Sequence, residues 1–87
     1  MAVQAKLHHI MTRTRETLTL AENDVLDLLL DGLTNAEIAE QLELSDKTVK
    51  NHLSHILAKT GCATRLELTV QVYKEREREL KRRIRVA

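Results

Sequence analysis

Three times in 87 residues a threonine is followed three places later by a glutamate, just ahead of an apolar run: Thr19–Glu22, Thr34–Glu37 and Thr64–Glu67. Each pair has the form of a capping box. The threonine oxygen accepts an N–H of the first helical turn and the glutamate reaches back to the threonine N–H, so two donors that a helix start leaves unpaired are satisfied together. Ser45, followed by Asp46, has the form of a fourth N-cap, with an acid placed to suit the positive end of a helix. The stops are marked as well, because Gly32 and Gly61, the only glycines, fall where a left-handed C-terminal cap is wanted. Four helices follow: about Leu20 to Asp31, Asn35 to Leu42, Asp46 to Thr60, and one from Arg65 that can continue past Leu80.

Composition agrees with an all-α chain. There is no Pro, Phe or Trp, and Tyr73 is the lone aromatic, so the core is aliphatic. The apolar faces are Val25, Leu26, Leu28, Leu29 and Leu30 on the first helix, then Ile38, Ala39 and Leu42 on the second, and Val49, Leu53, Ile56 and Leu57 on the third. A chain this short buries only a modest core and gains from association. Val3, Leu7, Ile10 and Met11 have the spacing of an extra N-terminal helix. The chain divides into an arm (1–17), a helical domain (18–73) and a charged helical extension or tail (74–87).

Only Glu43, Leu44 and Ser45 separate the second helix from the third, and so short a turn forces a steep crossing, the geometry of a helix-turn-helix. Glu43 stands near the place of the usual turn glycine. Ala39 is small enough for the crossing, and Leu44 and Val49 are expected to plug the corner. The fold expected is a tetra-helical helix-turn-helix domain without a wing, with an extended C-terminal helix.

Charge is segregated although the net is only +1. Between Leu18 and Leu44 there are seven acids and no Lys or Arg, whereas Lys74 to Ala87 holds seven bases against three glutamates. That pattern suits a basic surface turned to a polyanion and an acidic face turned away. On the third helix, at about 100° per residue, Asn51, Ala58, Lys47, Ser54 and His55 lie opposite the apolar stripe. Lys50 sits on one flank, and Thr48, His52 and Lys59 on the other. Small residues allow close backbone approach, an Asn can pair with adenine, and Lys can reach guanine or a phosphate, so this face suits the DNA major groove.

The stretch "LTLAENDVLDLLLDGLTNAEIAEQLELSDKTVKNHLSHILAKTGCATRLELTV" resembles the LuxR/FixJ/NarL-type (GerE-like) DNA-binding domain, with "GLTNAEIAEQL" and "LSDKTVKNHLSHILAKTG" keeping both spacing and residue type. The resemblance covers about Leu18 to Tyr73. It implies a transcription regulator that binds DNA as a dimer, the third helix reading bases and the fourth making much of the dimer contact. It points to Lys50, Asn51 and Ser54 as base-facing, and to Thr34, Asn35, Thr48, His52 and Lys59 as phosphate or groove-edge contacts. The outward face adds Lys47 to the first set and His55 to the second. Ala21, Thr60, Cys62 and Leu68 depart from the residues usual in the family. With about seventeen residues ahead of the motif, the chain resembles the family's stand-alone effectors.

On the fourth helix Leu66, Val70 and Tyr73 share one face, while Leu68 and Val72 lie roughly opposite. Two apolar faces on one helix suggest a homodimer, with Leu66, Leu68, Val72 and Tyr73 at its interface. The partners expected are duplex DNA with a roughly palindromic site and a second copy. The alternative is a protein-interaction module that binds another regulator or an RNA polymerase subunit. His52 and His55 are one turn apart without a third ligand nearby, so neither a metal nor a cofactor is expected. No catalytic pair is evident. A lone Cys62 and the lack of a long apolar run suggest a reducing, cytoplasmic setting without membrane contact.

Overall fold

The computed structural model describes residues 12–86, with side chains through Arg82. The extra helix expected around Val3 to Met11 lies outside the described residues. Among the described residues five helices run in order: α1 (Arg13–Glu16), α2 (Leu20–Leu30), α3 (Asn35–Leu42), α4 (Asp46–Thr60) and α5 (Arg65–Val86). Among the described residues there is no strand, and no helix is long and apolar enough to cross a membrane. The chain is all-α, as its caps predict.

Two of the three expected capping boxes close in full, and the third, at Thr64, is seen in one of its two bonds. Thr19 and Thr34 form reciprocal capping boxes with Glu22 and Glu37, Ser45 accepts from the Thr48 N–H, and Thr64 accepts from the Glu67 N–H at 3.1 Å. The helix ends follow one pattern. Gly32, Glu43 and Gly61 adopt positive φ, and the next residue reaches back to a carbonyl five residues earlier: Leu33 to Leu28, Leu44 to Ala39, Cys62 to Leu57. This is the Schellman stop, which satisfies orphan carbonyls in the last turn. At the middle stop the left-handed residue is Glu43, with φ 56° and ψ 45°, where a side chain is disfavoured and an acid also faces the negative end of α3.

The core is aliphatic and central. Leu26, Ile38, Val49, Ile56 and Leu68 are fully enclosed, with Val25, Leu29, Ala39 and Val72 beside them. Each such aliphatic side chain, buried rather than exposed, contributes about 1.5–3 kcal/mol. α4 lies against both α2 and α3, so its inner stripe of Val49 and Ile56 is buried while its outer stripe is left open. Val49 fills the turn as expected, but Leu44 stays exposed, its backbone N–H rather than its side chain closing the corner.

The fourth-helix expectation needs one correction. Leu68 and Val72 are 0% and 1% exposed inside the protomer's own core, so they do not face a partner. The open apolar face of α5 is Leu66, Val70 and Tyr73. The helical angle separates the two faces correctly; burial decides which of them the domain itself covers.

Replacing Glu43 by Gly removes both the left-handed penalty and the misplaced charge. The expected gain is about 0.5–1 kcal/mol, or a melting temperature higher by about 2–8 °C. Thermal denaturation showing Glu43→Gly no more stable than wild type would contradict this account of the turn.

Candidate nucleic-acid interface

The outer face of α4 is built by what its inner face must bury. With Val49 and Ile56 turned inward, the 3.6-residue repeat places Lys47, Lys50, Asn51 and Ser54 outward, and all four are exposed. None makes a hydrogen bond or ion pair with another described residue. Thr48 and His52 are half-buried at the edge of this face; the Thr48 hydroxyl shares a 2.9 Å hydrogen bond with Ser45. The sequence-predicted base-reading set therefore shares one open surface.

The predicted edge residues divide into two groups. Thr34 is exposed at the start of α3, and Asn35 beside it accepts from Arg65 Nη1 through Oδ1 at 2.7 Å. That bond leaves the donor end of the Asn35 amide available. Lys59 and His55, by contrast, both approach Glu22. Lys59 Nζ donates to Glu22 Oε1 at 2.6 Å, and His55 Nδ1 lies 4.0 Å from Oε2, an ion pair only when the imidazole is protonated. Lys59 is thus engaged within the protein, whereas His55 remains two-thirds exposed.

Glu22 was legible only as a capping residue, yet it does more. Its side chain is 5% exposed, and its Oε1 accepts from the Thr19 N–H at 2.9 Å as well as from Lys59. Burial pushes the carboxyl pKa up, but Lys59 and Thr19 more than offset this and hold it below its ordinary value. Glu37, in the equivalent box on α3, is lowered by the Thr34 N–H and hydroxyl. Arg65 was also missed. A cation in the first turn of a helix opposes the helix dipole and so calls for a partner elsewhere; Arg65 finds the Leu33 carbonyl and Asn35, pinning the start of α5 to the start of α3.

Among the described residues, no group of three His, Cys, Asp or Glu side chains is placed to hold a metal. A helix pair joined by a three-residue turn that buries one stripe of its second helix and exposes lysines and an amide on the other has the form of a helix-turn-helix DNA-binding domain. Comparison with known proteins agrees with that class. Residues 16–73 match the family model "Bacterial regulatory proteins, luxR family", and the chain belongs to this family. It is 37% identical over 68 residues to the spore germination protein GerE of Bacillus subtilis, covering 78% of this chain and 92% of that protein. It is 42% identical over 59 residues to the nitrate/nitrite response regulator NarL of Escherichia coli (68% of this chain, 27% of that protein). It is 47% identical over 53 residues to the DNA-binding transcriptional activator DevR/DosR of Mycobacterium tuberculosis (61% and 24%). Against larger mycobacterial HTH-type transcriptional regulators, the match spans only 6% of their length. The matched residues form a luxR-family domain, and the chain spans only 6% to 27% of the length of the mycobacterial regulators and NarL.

The Glu22–Lys59 contact can be tested without DNA. Lys59→Met keeps most of the stem and removes the cation, at an expected cost of about 1–2 kcal/mol near pH 7, since Lys59 is partly in water. Because the folded Glu22 pKa is depressed, its charge contributes stability above the unfolded value, and this is lost as pH falls through the folded value. Without Lys59 the carboxyl loses one of the two partners that lower its pKa, so the stability gap between the two proteins should narrow from pH 7 towards pH 3. Urea denaturation curves that stay equally far apart across that range would rule the pairing out as a source of stability.

Proposed function

We propose that the chain is a sequence-specific regulator that binds double-stranded DNA as a homodimer, with α4 in the major groove. The observation that carries this reading is the open face of α4, where Lys47, Lys50, Asn51 and Ser54 are exposed with no partner among the described residues. Polar and charged groups on a fixed helix, left unpaired by the fold, are available to pair with base edges.

In mechanism, contacts to the phosphates fix register and contacts to base edges discriminate. Thr34 and Asn35 supply the first kind, with Thr48, His52 and His55 at the groove edge and Lys47 among the base-reading residues. Asn51 is suited to a bidentate bond with adenine, Lys50 to guanine O6 and N7, and Ser54 permits close approach while offering a hydroxyl. Lys59 contributes mainly to the mount of the helix, being held by Glu22.

Dimerisation is assigned to the open face of α5. Leu66, Val70 and Tyr73 are exposed on a helix whose other face is already buried, and Arg76 stacks 4.2 Å from the Tyr73 ring centroid, stiffening that ring. A two-fold arrangement through this face would set two copies of α4 about 34 Å apart, one helical turn of DNA, and favour a palindromic site.

In vitro selection from random duplex DNA should return a two-fold symmetric consensus. Asn51→Ala should fold normally and lose preference at one position in each half-site, at about 1–3 kcal/mol. No enrichment by the wild type would instead favour a protein-interaction module. An unaltered consensus from Asn51→Ala would remove that residue from base reading. For the dimer, Val70→Glu should give a monomer in sedimentation at concentrations where the wild type is paired; a paired Val70→Glu protein would place the interface elsewhere.

A further inference from the structure

The segment of α5 past Val72 continues the helix's inner face with Glu75 and Arg76, both largely covered, where aliphatic residues would be expected. What covers them includes the arm that precedes α2. The Thr14 N–H and hydroxyl donate to the two carboxylate oxygens of Glu75, at 3.1 and 2.9 Å. Gln71 Nε2 donates to the Thr14 hydroxyl oxygen at 2.9 Å, and Cys62 Sγ donates to Gln71 Oε1 at 3.2 Å. On its other side the arm is fastened to α2. Buried Arg15 pairs with Asp27 at 2.7 Å and donates to Asn23 at 3.3 Å, and Asn23 Nδ2 returns a bond to the Arg15 carbonyl at 3.1 Å.

The arm thus bridges α2, against which the reading helix packs, and α5, which carries the open apolar face. Thr14 and Arg15 lie just before residues 16–73, which match the family model, and Glu75 lies just after them. Residues 75 to 86 carry α5 about 17 Å further at about 1.5 Å per residue, which magnifies any tilt of the helix.

We propose that Thr14 and Glu75 are positioning residues of DNA recognition: their clasp sets the angle of α5 to α4, and thereby the separation between the two half-sites that the dimer accepts. This rests on the dimeric reading above. Hydrogen bonds are directional where aliphatic packing tolerates sliding, so a two-pronged polar contact holds a helix axis in a way that Leu68 and Val72 alone do not. Neither residue belongs to the reading face.

The test uses the full chain and the palindrome recovered by selection, with the gap between half-sites changed by one and two base pairs. The wild type, and Thr14→Ser, which keeps the hydroxyl, should bind the altered gaps about tenfold or more weakly. Thr14→Val, which keeps the shape and removes the hydroxyl, should discriminate by no more than about threefold, with affinity for a single half-site within about twofold of wild type. If Thr14→Val loses its helical circular-dichroism signal, Glu75→Leu takes its place, since it removes both acceptor oxygens of the clasp. A Thr14→Val protein as strict about the gap as wild type overturns the role of the clasp. So does a half-site affinity that falls in step with the palindrome, because the substitution then acts on the body of the protomer. A wild type indifferent to the gap overturns the dimeric reading itself, and the clasp's role with it.

Discussion

Glu22 keeps a negative charge at a site almost closed to water, and the mount of the reading helix depends on how that charge is held. An unpaired carboxylate there would have to protonate or pull the site open. Two donors prevent this: the Thr19 N–H, which belongs to the start of α2, and the Lys59 ammonium, which belongs to the end of α4. One carboxylate thereby completes a helix cap and ties that helix to α4, the one proposed to face DNA. Val49 and Ile56 give α4 its affinity for the core, but aliphatic packing alone tolerates small slides along the axis. A charge-assisted bond at the far end of the helix restricts them.

How much of this was legible in the sequence follows from the range of each interaction. Capping boxes and Schellman stops close within a few residues, so Thr34 with Glu37 and Leu44 with Ala39 give α3 its observed ends, and Ser45 and Gly61 do the same for α4. The reading face was legible because a single period separates Val49 and Ile56 from Asn51 and Ser54. The partner-facing side of α5 was only half legible. Angle showed that Leu66 and Leu68 lie on different faces, but the choice between them depends on where α2 to α4 leave room, which no local pattern encodes. The clasp was illegible for a similar reason. Thr14 and Glu75 are 61 positions apart, and a polar contact at that range leaves no periodic trace. Arg15, buried against Asp27, likewise carries no local sign of its partner.

The family match and the structure divide the chain differently. Residues 16–73 carry the shared pattern, yet the folded unit extends to Thr12 on one side and past Arg76 on the other, because side chains from both flanks are buried there. The shared segment supplies the reading surface. The flanks determine how one end of α5 is held, a property of geometry rather than of base chemistry.

The engagement of Lys59 also gives α4 a direction. Of its three lysines, Lys47 and Lys50 are unpaired among the described residues and lie in the first half, while the third is tied to Glu22. His55 near the other end adds charge only when protonated, and then shares the same carboxylate. The attraction that α4 exerts on a phosphate backbone is therefore concentrated at its N-terminal half, where the exposed N–H groups of the first turn carry partial positive charge of their own. On the proposed reading, a helix polarised in this way would enter the groove by its N-terminal end. That approach brings Asn51 and Ser54, one turn further along, against the base edges once Lys47 and Lys50 have engaged, so the order of residues along α4 matches the order in which DNA would meet them.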